Sequence, residues 1–172
     1  MRVFVSVGLP TEVREELYKI QKMISPSLAK IKWVPKKNLH LTLKFIGEVE
    51  NIDEIHKNLS DVKFNPFKVR LGEFGAFPSF KDMKVFWVGL EPADKVIKLQ
   101  QEVDSELFSE YQKFSSHLTL GKVKMIKKKK EFLGVINKIE VKPIEFEINF
   151  FQLMQSKLSK DGSKYFVLKE YK

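Results

Sequence analysis

Asn38-Leu39-His40-Leu41-Thr42-Leu43-Lys44-Phe45-Ile46-Gly47 is the stretch on which the fold turns. Its centre, His-Leu-Thr-Leu, returns letter for letter as His117-Leu118-Thr119-Leu120, and these two copies hold two of the three histidines in the chain. Leucines alternate with His40 and Thr42, and the same holds around His117 and Thr119. A strand sends successive side chains to opposite faces, so each copy buries its leucines and presents an imidazole and a hydroxyl side by side on the other face. Two such faces opposed across one cleft place two acid–base groups and two hydroxyl donors around one small anion.

Working outward, 172 residues suit one domain or two small lobes sharing a cleft, burying roughly 70% of the unfolded surface. With 43% hydrophobic and 31% charged residues the composition is globular rather than disordered. The net charge of +9 suits a polyanion such as RNA, DNA or a phosphorylated small molecule. There is no cysteine, which excludes disulfides and thiolate metal sites. No apolar run approaches a membrane span, and no signal peptide precedes the first strand. A cytoplasmic monomer is expected.

Residues 2–8 read as a strand, and Thr11 to Met23 as a helix with Thr11 as N-cap. Ile31 to Val34 is a short strand ahead of the first histidine strand, 39–46, and a short helix spans Ile52 to Leu59. Phe64 to Phe74 reads as a strand with Pro66 marking an edge or a late start. Gly72 to Asp82 reads as a loop carrying Phe74, Phe77 and Phe80, before a strand from Lys84 to Leu90. The longest helix is expected over Pro92 to Tyr111, then the second histidine strand from Ser116 to Lys124, then a basic helical stretch from Ile126 to Ile139. Ile144 to Ser156 and Lys164 to Tyr171 alternate as two strands of a hairpin. The strand–helix–strand–strand order is roughly repeated, and the histidines stand 77 residues apart, near half the chain. An internal duplication with one histidine strand per lobe fits this order.

Two facing imidazoles suit a reaction needing a base and an acid together near neutral pH. Water attack on a cyclic phosphodiester is such a reaction: a neutral imidazole takes the proton of water, a protonated one gives a proton to the departing oxygen. Thr42 and Thr119 would donate to the non-bridging oxygens. Two histidines without cysteine fall short of a zinc ligand set, so no metal and no cofactor are expected. Ser115 and Ser116 precede His117 without an acidic third partner, which argues against a serine triad. His56 reads as solvent-exposed. Phe4, Phe86, Trp87 and Phe150 read as core. Alternation from His40 turns Phe45 away from the imidazoles, although its place at the strand's end near the cleft leaves base stacking open. Phe77 and Phe80 would either stack on a nucleobase or plug their loop.

With these residues in place the chain resembles the two-histidine phosphoesterases, and within them the RNA 2′,3′-cyclic phosphodiesterases, also called 2′-5′ RNA ligases. The likeness runs through Arg2-Val-Phe4-Val, Asn38 to Phe45 with Gly47-Glu48-Val49, Phe74-Gly75-Ala76-Phe77-Pro78, Lys84-Val85-Phe86-Trp87, and Ser156-Lys157-Leu158 with Gly162 and Tyr165. It implies an α+β, bilobal, pseudo-symmetric fold over residues 1–172, with two antiparallel sheets lining a central cleft and helices outside. It implies hydrolysis of a terminal RNA 2′,3′-cyclic phosphate to a 2′-phosphate, on RNA ends, tRNA fragments among them, or on nucleotides. The matching positions make His40 the proton donor to the 3′ oxygen, His117 the base, and Thr42 and Thr119 phosphate binders. Lys122, Phe45, Ser116 and Phe77 are further substrate-binding candidates. The family often has Pro where Ser116 stands and Arg where Lys122 stands; lysine keeps the charge and loses the bidentate grip. Ligation, the reverse reaction, and RNA-end binding without turnover are the alternatives.

Overall fold

The structure, a computed structural model, describes residues 1–108 and 112–172. Among the described residues nine strands and four helices follow in the order β1 (Arg2–Gly8), α1 (Thr11–Lys22), β2 (Ala29–Trp33), a 3-10 turn (Lys36–Asn38), β3 (His40–Glu48), α2 (Asp53–Ser60), β4 (Phe67–Pro78), β5 (Met83–Glu91), α3 (Ala93–Glu106), β6 (His117–Ile126), α4 (Lys129–Ile136), β7 (Glu145–Ile148), β8 (Phe151–Ser159) and β9 (Gly162–Tyr171). They build two antiparallel sheets, β3-β1-β8-β9 and β2-β6-β5-β4-β7. The sheets line a central cleft, and the two histidine strands β3 and β6 lie against one another where the sheets meet. Leu39, Leu41, Leu43, Leu118 and Leu120 are all buried in the core, as the alternation requires.

The two histidine strands share a defect as well as a sequence. From Gly8–His40 the β1–β3 register runs to Ser6–Thr42, then passes over Leu43 to Val5–Lys44 and Phe4–Phe45. From Gly89–His117 the β5–β6 register runs to Trp87–Thr119, then passes over Leu120 to Phe86–Gly121 and Val85–Lys122. Each is a β-bulge, one extra residue that inverts the alternation beyond it. Leu43 and Lys44 are therefore buried in succession, as are Leu120 and Gly121, and Phe45 and Lys122 emerge exposed on the side of the imidazoles. Phe45 was expected on the opposite face; the bulge, which no local turn residue announces in β3, reverses it.

Each bulge is braced by the helix of the other half. Gln21 of α1, buried, donates Nε2–H bonds to the carbonyls of Val34 (2.9 Å) and Leu120 (3.0 Å). Asp104 of α3 forms an ion pair with Lys44, whose ammonium stem is only 2% exposed. The Val96-Leu99-Val103 stripe of α3 is fully buried, as its spacing predicts.

Elsewhere the structure revises the reading. Thr11 is the first helical residue rather than the cap: Pro10 holds that place, and its carbonyl takes the amides of Val13 and Arg14 at 3.1 Å each. β4 starts late, after Pro66, as expected, but runs on through Pro78, so Phe74 and Phe77 lie in a strand and the loop shrinks to 79–82. Gly75 is the reason for this difference. It faces Trp87 across the β4–β5 pair, and its missing side chain makes room for the indole rather than for a turn. The stretch from Ile144 to Ser156 is two strands, β7 and β8, in different sheets. The buried residues 146, 148, 151 and 153 slip phase at Asn149-Phe150, where the chain crosses between sheets. Phe150 accordingly lies between strands, half-buried, and not in a strand core. The basic helix is shorter than expected because β6 extends to Ile126. The expected end of the long helix at Tyr111 lies outside the described residues.

Candidate active site

Strand geometry alone explains how each imidazole is aimed. The β3 and β6 strands begin at His40 and His117, so the residue two positions earlier lies in the approach to the strand and its carbonyl is free. His40 Nδ1 lies 2.6 Å from the Asn38 carbonyl and His117 Nδ1 lies 2.8 Å from that of Ser115. A carbonyl only accepts, so Nδ1 carries a proton in both rings and Nε2 is left as the reactive nitrogen. Thr42 Oγ1, on the same face, lies 2.8 Å from His40 Nε2, where its hydroxyl donates to the neutral ring. The glycines opposite the two histidines, Gly8 and Gly89, place no side chain beside either imidazole.

Both histidines have pKa values below the ordinary 6.5, because burial disfavours the imidazolium; at His40 the positive charge of Arg14 pushes the same way. The carbonyl bonds at Nδ1 oppose this without reversing it. Both sites therefore favour the neutral imidazole. A bound anion would restore the proton to one of them.

The surroundings of the two rings differ. His40 packs against Phe4 (ring centroids 5.2 Å apart) and, edge to face, against Tyr165 of β9 (5.4 Å). Phe4 also meets Phe45 at 6.2 Å, so the exposed Phe45 ring continues an aromatic wall. His117 meets Phe77 edge-on at 5.0 Å and Trp87 at 6.4 Å. Trp87 and Phe77 are themselves in contact, with centroids 5.0 Å apart. Lys122 stands exposed, directly opposite Lys32 on β2 and Val85 on β5. Like charges facing across a ladder are unfavourable in the absence of an anion. The Ser116 hydroxyl donates to the Leu90 carbonyl at 2.8 Å, which commits its hydrogen to the backbone.

A cavity of about 500 Å³ adjoins His40 on the face of the β3-β1-β8-β9 sheet, between β1, α1 and β9. A second, of about 480 Å³, lies between the α2–β4 connection and α3 and is lined by no histidine. Among the described residues no cluster of three His, Cys, Asp or Glu side chains is placed to hold a metal ion. His56, expected in solvent, is half-buried with its Nδ1 3.0 Å from the Tyr171 hydroxyl.

Sequence reasoning missed part of this surface. Phe4 is buried, as read, yet it also floors His40, and Trp87, read as core, packs on His117. Phe150 and Arg14 line the His40 cavity. The alternation Phe4-Ser6-Gly8, set opposite Phe45, Thr42 and His40, was the available signal for Phe4; nothing local marked Arg14.

Comparison with known proteins places the chain in a family. Residues 7–87 match the model of the LigT-like phosphoesterases. The RNA 2′,3′-cyclic phosphodiesterase of Methanocaldococcus jannaschii is 35% identical over 178 aligned residues, covering 99% of this chain and 100% of the relative. That of Thermotoga maritima is also 35% identical, covering 99% and 94%. Among solved structures, TT0787 of Thermus thermophilus superimposes with a TM-score of 0.78 at 28% identity, over 99% of this chain and 96% of that one. Escherichia coli LigT in complex with 3′-AMP gives 0.75 at 25% identity, over 98% and 95%.

Proposed function

Because this chain belongs to the LigT-like phosphoesterase family, we propose that it is an RNA 2′,3′-cyclic phosphodiesterase, hydrolysing the cyclic phosphate at RNA 3′ ends to a 2′-phosphate. The observation that carries the reading is the pair of His-Leu-Thr-Leu strands, each with its imidazole oriented through Nδ1 by the carbonyl two residues back. Residues 1–172 act as one two-lobed catalytic domain.

The bound phosphate supplies the negative charge that lets one imidazole take up a proton. His117, with Nε2 unprotonated, accepts the proton of the attacking water. His40, protonated at Nε2, gives its proton to the departing 3′ oxygen, so the P–O3′ bond breaks as the P–O(water) bond forms. Thr42 and Thr119 donate to the non-bridging oxygens, where charge is high through the transition state. Lys122 adds a positive charge, Phe45 and Phe77 offer ring faces to the nucleoside, and Ser116 positions the start of β6. Each imidazole trades one proton, and no metal enters any step. Ligation to a 2′-5′ bond uses the same residues with a 5′-hydroxyl in place of water: His117 takes its proton, the P–O5′ bond forms, and His40 protonates the departing 3′ oxygen.

Both histidine strands come from one chain, which supports action as a monomer. The setting proposed for this reaction is cytoplasmic, with tRNA fragments among the RNA ends met there. No helix among the described residues is long and apolar enough to cross a membrane.

The test is incubation with a nucleoside 2′,3′-cyclic phosphate followed by separation of 2′- and 3′-phosphate products. The 2′-phosphate is expected, and His40→Ala and His117→Ala should each lose about 10²–10⁴ in rate while remaining folded. Near-parental turnover in either variant removes the two-histidine mechanism. Tight binding of the cyclic phosphate with no product at all would leave an RNA-end binder instead.

A further inference from the structure

The cavity beside His40 carries a charge pattern that a terminal cyclic phosphate does not account for. Arg14 from α1, Lys37 from the 3-10 turn and Lys164 from β9 line it, and no carboxylate does. These cations come from three segments far apart in sequence, so their convergence is a property of the fold. Among the described residues none of them has an ion-pair partner, whereas the neighbouring Lys36 is paired with Glu15. Arg14 Nε is buried and lacks a hydrogen-bond partner among the described residues. A buried donor left unmade is costly, and an acceptor in the cavity would satisfy it. The remaining lining is amphipathic in the manner of a nucleotide site: Phe150, Tyr165 and Phe166 rings with Gln152 and Asn38. The position of β9 over this space is fixed, because the buried Asn38 donates from Nδ2 to the Ser163 carbonyl at 2.9 Å.

The direction of the reaction says what reaches this space. In an in-line displacement the attacking and leaving oxygens lie on opposite sides of phosphorus. With His40 as the acid, the 3′ oxygen and its ribose would lie on the His40 side, and a strand continuing 5′ from that ribose would run toward the face that holds the cavity.

We propose that this cavity is the seat of the internucleotide phosphate immediately 5′ of the terminal nucleotide, with Arg14 as its principal contact and Lys37 and Lys164 flanking it. The site then takes an RNA strand in preference to a free nucleoside cyclic phosphate. This rests on the cyclic phosphodiesterase reading above. A guanidinium suits the task, since its fork matches two phosphate oxygens at once.

Three substrates test it: a nucleoside 2′,3′-cyclic phosphate, a dinucleotide ending in the cyclic phosphate, and the same dinucleotide with a neutral methylphosphonate in its upstream linkage. The parental protein should show kcat/KM for the phosphodiester dinucleotide about tenfold or more above that for the methylphosphonate, the scale of one charge-assisted contact. Arg14→Gln should bring this ratio below about threefold, with Arg14→Lys in between. Lys37→Ala/Lys164→Ala should lower it as well, and provides the reading if the Arg14 variants do not fold. A parental ratio near one, or a ratio unchanged in the variants, overturns the subsite. If the parental protein turns over none of the three, the proposed reaction has failed, and the same ratio measured as binding of the two dinucleotides by calorimetry still decides the subsite.

Discussion

Gly75→Ala tests how tightly the His117 side of the cleft is built. A Cβ placed on Gly75 would lie 2.2, 2.4 and 2.6 Å from three ring carbons of Trp87. Ordinary carbon contacts begin near 3.5 Å, so the indole must retreat by about 1 Å or more. It has little room, because Phe77 lies against it at 5.0 Å between centroids and His117 stands beyond. Overpacking of this kind costs about 1–3 kcal/mol. For a chain of this size that is a fall in Tm of roughly 2–4 °C per kcal/mol. The catalytic consequence should be larger than the thermal one, since a displacement of about 1 Å near a reacting group can cost about 10² in rate. Differential scanning fluorimetry, tryptophan emission and kcat/KM on a nucleoside cyclic phosphate read the three effects. Gly134→Ala is the control: it lies in α4 with nothing within 4 Å of its new Cβ, and should stabilise by about 0.5–1 kcal/mol through helix propensity. A Gly75→Ala protein with parental Tm, emission and turnover would refute the packing account of the β4–β5 pair.

The lowered histidine pKa values move both limbs of the pH–rate profile to the acid side: the base stays neutral to lower pH, and the acid loses its proton at lower pH. The kcat/KM maximum is expected below pH 6.5, and a maximum above pH 7.5 contradicts the desolvated sites. The same shifts act on stability. A folded-state pKa below the unfolded value means stability present above about pH 6.5 and lost as the pH falls through and below it. His40→Gln/His117→Gln should therefore lose less Tm than the parent between pH 7 and pH 5; an equal loss assigns the acid sensitivity to other groups. Leu118→Ala, which empties a fully buried position behind His117, should cost about 2–5 kcal/mol in denaturant unfolding. A loss under about 1 kcal/mol would mean that β6 is not pinned by its leucines.

The histidine strands were legible because two independent signals coincide in them, period-2 alternation and an exact repeat of four residues. The order of elements and a two-lobed α+β arrangement followed from the same patterning, and the resemblance added the two antiparallel sheets lining the cleft. What stayed hidden belongs to the relation between strands. The bulge in β3 is a mismatch of register with β1, and Leu43-Lys44-Phe45 carries no glycine or proline to announce it. Gly75 looked like loop punctuation because the indole that requires its small size comes twelve residues later. The Ile148–Phe151 phase slip was present in the sequence, but without the sheets there was no reason to make it a crossing. Arg14 reads as one charged residue among many in an amphipathic helix. Its significance arises only where Lys37 and Lys164 arrive from other segments.

The paired bulges have one more consequence. Up to the second leucine the two strands carry the same side chains, an imidazole and a hydroxyl on one face and two buried leucines on the other. The phase inversion brings a different side chain to each rim: a phenyl ring at Phe45 and an ammonium at Lys122. The exposed faces of the two strands thus first differ two residues beyond the repeated tetrapeptide. The same local bulge thus gives two strands of identical core sequence unlike rims, one aromatic and one cationic.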